Sequence, residues 1–578
     1  MKMFKLLKFL KGSAILYAIL APLLMMLEVA MDLTLPTMLS NIVDIGIANG
    51  DMNYVLATGA KMILFALLGL IGGVGCSIFS TMAAINLGQN LRDGLFAKIQ
   101  SLSFLELDHF KTSSLITRLT NDITQVQTMV MMALRILVRA PLLCVGGLFM
   151  AYQLSHRLSV VFVIAIPIIL VFVAIVMSKS FPLFKTMQEK IDKVNNVMRE
   201  NLLGVRVIKA FTMEGKQRER FNEANDDLMN QSIRAQKIMI ILNPVVMLVV
   251  NFSVIAVLWY GGYLVQDGLL ETGKIMAFIN YLTQIMMSMM MVIMISMNFS
   301  RSKASADRIN EVFNTHSSIQ ESSSATELTN YDVEFKNVSF KYHDHSEEVL
   351  KGISFKIKEG QKVGIIGGTG SGKSSLVSLI PRLYDASKGE VLIGGQNVKN
   401  LSLRELRDKI GVVLQESILF SGTIASNFKF GYHEATQTEL DEAARDAQAL
   451  EFIQAKEEKY DTVVEQRGKN LSGGQKQRVS IARTLIRNPK ILILDDSSSA
   501  LDMATESKLQ QAIKARMKDS TVIMIAQRIS AVMDADQIIV LDQGEISGIG
   551  THQELLKSNE IYRSIAISQL GEEAVNHE

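Results

Sequence analysis

Two short stretches carry groups suited to work on a polyphosphate. The strand-like run KVGII enters GGTGSGKSS at 367–375, and the spacing from Gly367 through Gly372, Lys373 and Ser374 is that of a phosphate-binding loop. Gly367, Gly368, Gly370 and Gly372, with Thr369 and Ser371 between them, let backbone N–H groups close around phosphates at a helix N-terminus. Lys373 then reaches the terminal phosphates, the Ser374 hydroxyl ligates Mg²⁺, and Ser375 completes the run. The second stretch is ILILDDSSSALD at 491–502. Its apolar start reads as a buried parallel strand, which leaves Asp495 and Asp496 at the carboxyl end, where open α/β sheets bind ligands. One carboxylate can hold a metal ion. The purpose of the other is the question the sequence poses.

These residues need a soluble α/β scaffold, yet much of the chain is of another kind. Its 578 residues exceed what one core usually serves. Hydrophobic residues make up 48% against 20% charged, which points to a membrane protein. The 59 basic and 57 acidic residues nearly cancel, so nucleic acid is not an indicated partner. Cys76 and Cys144 both fall in apolar segments and read as small hydrophobes rather than a disulfide. Six apolar segments, near 14–37, 56–80, 134–154, 158–178, 238–262 and 275–298, are long enough to span a bilayer. No small-residue cleavage site follows the first, so it is expected to remain as a helix. Lys and Arg concentrate at the start, in 81–133, in 179–237 and after Arg301, whereas 38–55 has none. That bias places both ends of the chain in the cytoplasm.

The two long basic connections keep helical apolar spacing, as in LGQNLRDGLFAKIQSL and KTMQEKIDKVNNVMRENLLG. They read as extensions of the membrane helices, each pair turning around in a short segment, near 110–122 and near 205–214. Residues 1–311 thus form a transmembrane domain. The polar, Ser- and Thr-rich 312–330 reads as a linker, 331–568 as the soluble cassette and 569–578 as a tail.

A phosphate loop alone leaves many nucleotide-using classes open. LSGGQ, formed by Leu471, Ser472, Gly473, Gly474 and Gln475, narrows them, because it lies between the loop and the Asp-bearing strand. The combination resembles an ATP-binding cassette domain, and the six preceding spans resemble an export-type ABC half-transporter, over nearly the whole chain. The fold implied is multidomain: an α-helical six-span transmembrane domain followed by an α/β P-loop cassette. The resemblance further implies that Tyr342 in SFKY stacks on adenine and that Gln415 is the Q-loop glutamine between metal and membrane domain. It makes Asp495, with Ser374 and Gln415, a ligand of Mg²⁺, and Asp502 of SALD part of the D-loop. The two turnarounds match the family's coupling helices. In that family two cassettes clasp two ATP molecules head to tail, each site borrowing LSGGQ from the other chain, so a dimer is implied.

Three positions depart from the family pattern. The residue after the Walker B aspartate, usually a water-polarising glutamate, is Asp496, one methylene shorter. A misplacement of about 1 Å can cost on the order of a hundredfold in rate. The switch histidine, expected in TVIMIAQRIS, is Gln527, which has no titratable nitrogen. TVVEQRG has Glu465 and Gln466 where glycine and glutamate are usual. With LSGGQ intact, the pattern is similar to the degenerate-site half of heterodimeric bacterial multidrug exporters in the cytoplasmic membrane. Its partner is then a non-identical chain carrying the glutamate and the histidine. A lipid or peptide exporter on the same architecture, or a nucleotide-gated regulatory subunit, are the alternatives.

Substrate evidence lies in the membrane. IMMSMMMVIMISM (285–297) places Met286, Met290, Met294 and Met297 where the family's central cavity is lined. Flexible thioethers suit varied apolar or amphipathic small molecules, and equally suit packing between helices or against lipid. Glu28 and Asp32 lie one helical turn apart in the first span, placed either to attract cationic compounds or to pair near the outer surface, with the structural role preferred.

Overall fold

The computed structural model describes residues 5–320, 328–343 and 345–572, and no side chains at 293, 294, 296–298 and 300. Residues 321–327 of the expected linker and the end of the expected tail therefore lie outside the described residues. The chain divides into two compact units, Met1–Gln100 with Ser113–Asn314, and Ser101–Thr112 with Thr315–Glu578.

In the first unit six helical stretches are long and apolar enough to cross a membrane: Ser13–Ile47, Met52–Gln100, Thr112–Leu154, Val160–Leu203, Glu214–Gln266 and Thr272–Val292. The protein is a multi-pass membrane protein. The helices outrun the apolar spans, as the basic amphipathic connections predict. Helix α1 (Ser13–Asn41) packs on α2 (Met52–Gln100), whose 49 residues at about 1.5 Å each extend far beyond a hydrocarbon core of about 30 Å. Small residues allow the close approach of these two helices. A Cβ on Gly72 would come within 2.8 Å of the Leu24 carbonyl oxygen, and one on Gly73 within 2.9 Å of Glu28 Oε2.

That approach encloses a charge cluster. Arg139, on α3 (Ile123–Leu154), pairs with Glu28 Oε1 at 2.5 Å and Asp32 Oδ2 at 3.1 Å. Both acids are thus tied to a third helix, as the preferred structural role expects of them. Glu28 is buried, and removing one partner of a buried pair costs about 3 to 5 kcal/mol. Arg139→Met is expected to lower the yield of folded chain and its resistance to denaturant, with Glu28→Gln in the same background recovering most of the loss. Unchanged denaturation of Arg139→Met would remove this cluster from the scaffold.

The first turnaround differs from the expected 110–122. It lies at 101–111, because Ser103 and Glu106 form a capping box that starts a new short helix, α4 (Phe104–Phe110). From Thr112 the chain is already helical again and runs into α3. The second turnaround, the short helix Val205–Ala210, lies inside the expected segment.

The second unit is the α/β cassette. A four-stranded antiparallel sheet contains β1 (Val333–Phe340) and β2 (Leu350–Ile357). The larger sheet contains β3 (Lys362–Gly367), β4 (Ile410–Val413), β5 (Ile491–Asp495), β6 (Thr521–Ile525), β7 (Gln537–Asp542) and β8 (Glu545–Gly550). Its order is β8-β7-β3-β6-β5-β4, parallel except for the edge strand β8. Apolar residues on successive positions serve opposite faces. Ile365, Ile491, Ile493, Ile523 and Ile525 pack to one core, whereas Ile366, Leu492, Leu494, Val522 and Met524 pack to the other. This double burial is why these strands read as unbroken apolar runs.

Candidate functional site

Strand order decides what meets. β6 lies between β3 and β5, with Ile525 in register with both Ile365 and Asp495. The residues following all three strands therefore emerge side by side at one sheet end. They enclose a cavity of about 470 Å³, lined among others by 367–370, 372–375, Gln415, Asp495, Asp496 and Gln527.

The loop after β3 has the backbone its glycines predict. Gly372 takes φ 98°, at the N-cap of the helix Lys373–Ser378, and a Cβ there would meet Leu350 Cδ2 at 2.8 Å. A Cβ on Gly367 would fall 2.1 Å from the Leu541 carbonyl oxygen. Thr369 and Gly370 stand on the cavity wall, and Ser371 is buried beneath the loop. Lys373 Nζ donates to the carbonyl oxygens of Gly368 at 2.7 Å and Gly367 at 3.0 Å, so its charge is held over the loop. Burial lowers the Lys373 pKa, opposed by the nearby Asp495 and Asp496 charges.

Ser374 Oγ donates to Asp495 Oδ1 at 3.0 Å. A hydroxyl, one carboxylate and the Gln415 amide make a hard-oxygen donor set, suited to Mg²⁺ that keeps waters and phosphate oxygens as its other ligands. Among the described residues no group of three or more His, Cys, Asp or Glu is arranged to hold a metal by itself. Burial raises the pKa of Asp495, and the Asp496 charge adds to the shift.

Asp496 is buried, with φ 47°, and its N–H donates to the Ile525 carbonyl oxygen at 3.1 Å. One of its carboxylate oxygens, Oδ2, accepts from Gln527 Nε2 at 2.7 Å and from Gln415 Nε2 at 3.2 Å. Burial raises its pKa, while those two amide hydrogen bonds pull it down. The carboxylate is therefore clasped by two neutral donors, neither of which can take up a proton.

Tyr342 is set apart from this cavity. Its hydroxyl shares a hydrogen bond of 2.8 Å with Ser375, on the helix after the loop, and its ring meets Tyr384 edge-on at 5.3 Å. It lines a neighbouring cavity of about 280 Å³ with Phe340, Tyr384 and Ser318. Tyr384 in turn donates to Asp108 on α4 at 2.8 Å, a neighbour that its sequence gives no sign of.

The signature lies elsewhere. Leu471 is buried, and Ser472 caps the helix Gly473–Leu485, its Oγ accepting from the N–H of Gln475 at 3.3 Å. The first turn of that helix, with Gly473 and Gly474, presents unpaired N–H groups as an anion site. None of the five signature residues lines the phosphate-loop cavity. Asp502 caps the helix Met503–Arg516 by accepting from Thr505 N–H at 2.9 Å.

In the membrane unit Met286 is buried within the apolar core, and Met290 packs against the same core. The side chains of Met294 and Met297 lie outside the described residues. One site residue had no sequence signal. Gln569, assigned from sequence to the tail, is on the cavity wall with Ile565.

Comparisons with known proteins agree with this architecture. Residues 18–289 match the ABC transporter transmembrane region, and residues 350–499 match the ABC transporter domain. The chain is 41% identical to the uncharacterized ABC transporter ATP-binding protein YfiB of Bacillus subtilis (strain 168), over 98% of this chain and 99% of the relative. It is 32% identical to an ATP-dependent lipid A-core flippase of Syntrophus aciditrophicus (strain SB), over 87% of this chain and 84% of that one. Among solved structures it resembles a bacterial Atm1-family ABC exporter with ATP bound, with TM-score 0.80 and 28% identity, covering 96% of this chain and 98% of that chain.

Proposed function

The chain belongs to the ABC transporter family as an exporter-type half-transporter, an ATPase-coupled membrane pump subunit, and from that premise we propose that it is the degenerate-site half of a heterodimer. The observation that carries this is the clasp at Asp496. A base that activates water must approach it and pass its proton on. Here a short carboxylate is held by the amides of Gln527 and Gln415, neither of which has a titratable nitrogen. The chain's own loop then binds ATP with Mg²⁺ on Ser374, Gln415 and Asp495, and turns it over slowly. Its intact signature completes the partner's site, and the partner supplies the glutamate and the histidine. Tyr342 takes the adenine beside Ser375.

The transported compounds in this reading are apolar or amphipathic small molecules, moved out across a bacterial cytoplasmic membrane with both termini of the chain inside. Support comes from the basic bias of the connections and the thioether-rich last span. Lipid export is the second reading, favoured by the likeness to the lipid A-core flippase. The test is co-purification with the candidate partner, followed by reconstitution. Flux of a cationic dye that requires both chains and ATP supports the first reading. ATP-driven movement of a fluorescent lipid without dye flux supports the second. Full dye flux from this chain alone would end the heterodimer proposal.

A further inference from the structure

We infer that Gln569 is a positioning residue, which sets the switch loop so that Gln527 can sense the terminal phosphate of ATP. The inference rests on the reading that this chain's loop holds ATP. Gln569 lies at the end of the last described helix, α5 (Glu560–Leu570). Its Nε2 donates to the Gln527 carbonyl oxygen at 2.7 Å, and its Oε1 accepts from the Ile529 N–H at 2.8 Å. One flat amide thus pairs with the backbone on both sides of Arg528, as a neighbouring strand would. The side chain of the same Gln527 reaches Asp496, so the clamp and the clasp act on one residue.

The helix that carries Gln569 is fixed. Asn559 caps it by accepting from the Tyr562 N–H at 2.8 Å, and its Nδ2 donates to the Ser547 carbonyl oxygen at 3.0 Å on β8. Tyr562 and Ala566 are fully buried, and the Tyr562 hydroxyl is 2.7 Å from His552 Nδ1. Ile565, one turn before Gln569, stands with it on the cavity wall beside the phosphate loop. A side chain on a packed helix, bonded twice to a loop that is otherwise exposed at Gln527 and Arg528, holds that loop at one height. The β-phosphate is cradled by the glycines and Lys373, which the clamp does not touch. Its loss therefore bears on the γ-phosphate alone.

The experiment is photolabelling of this chain with azido-ATP in the purified complex, the two chains being resolved on a gel and labelling competed with ATP or ADP. Gln569→Leu keeps the size and removes both hydrogen bonds. Two bonds of ordinary strength correspond to about thirtyfold, so half-competition by ATP should need about thirty times more nucleotide. ADP should compete as before, within about twofold. Gln569→Glu keeps the acceptor for Ile529 but sets an oxygen against the Gln527 carbonyl, so it should fail to restore ATP binding. An unchanged ratio of ATP to ADP in Gln569→Leu would overturn the clamp. So would equal weakening of both nucleotides, which marks a helix that only supports the fold. Absence of labelling in the unmutated chain would instead sink the reading of the loop as an ATP site, and the clamp with it.

Discussion

Lys373→Ala is expected to abolish nucleotide binding at this chain's own loop and to reduce transport by the pair severely. The Lys373 ammonium sits over the carbonyl oxygens of Gly367 and Gly368. Remove it, and those carbonyls and the Asp495 and Asp496 carboxylates face the β- and γ-phosphates with only Mg²⁺ and the loop's N–H groups left to offset the repulsion. Charge-assisted hydrogen bonds are worth about 1.5 to 3 kcal/mol each, so losing two corresponds to an affinity loss on the order of a hundredfold or more. Photolabelling of this chain in the pair, separated from its partner, is the direct measurement. Undiminished nucleotide on Lys373→Ala would refute the role. Lys373→Arg should also fail, because the longer planar head does not fit among the loop's carbonyls.

What was legible in the sequence and what was not divide along a physical line. The phosphate loop is written in residue types because its backbone tolerates few others. A Cβ at Gly367 would collide with Leu541, and Gly372 takes a conformation that side chains resist. The strands were legible because burial on both faces demands unbroken apolar runs. The clasp was half legible. Asp496 and Gln527 stood out as departures, but their hydrogen bond follows from β6 lying between β3 and β5, which no local pattern states. Tertiary partners were the hidden part. Arg139 lies inside the apolar segment 134–154, and only the packing of its own helix, α3, on α1 brings it to Glu28 and Asp32. Gln569 lies near the chain end, where sequence gave a tail. The first turnaround falls earlier than 110–122 for a local reason: the Ser103–Glu106 box starts a short helix there, and the polar run after Phe110 is itself helical.

The sharpest expected contrast is between mutations in the two nucleotide sites of the proposed heterodimer. Asp496→Asn should change total ATPase by less than about twofold, since a carboxylate already clasped by Gln415 and Gln527 contributes little as a base. Replacing the partner's glutamate after its Walker B aspartate should lower turnover by about 10² to 10⁴-fold, the usual scale for loss of a general base. Changes in this chain's signature should be as severe, because Ser472 and Gly473 face the partner's ATP in this reading. Ser472→Ala is the less clean probe. It also removes a helix N-cap, at about 1 kcal/mol of stability. Gly473 separates the two effects, for a Cβ there meets only Ala500 Cβ, at an ordinary 3.6 Å. Gly473→Asp should therefore fold, yet set a negative charge against the γ-phosphate and stop most hydrolysis. ATP held by Lys373 in this chain's own site should meanwhile outlast several turnovers of the other site, keeping the cassettes partly associated. ATPase measured for each mutant in the reconstituted pair decides the matter. Should Asp496→Asn prove as damaging as the partner's glutamate change, Asp496 is a working base and the degenerate-site reading fails. Full activity in Gly473→Asp would detach this signature from the partner's site.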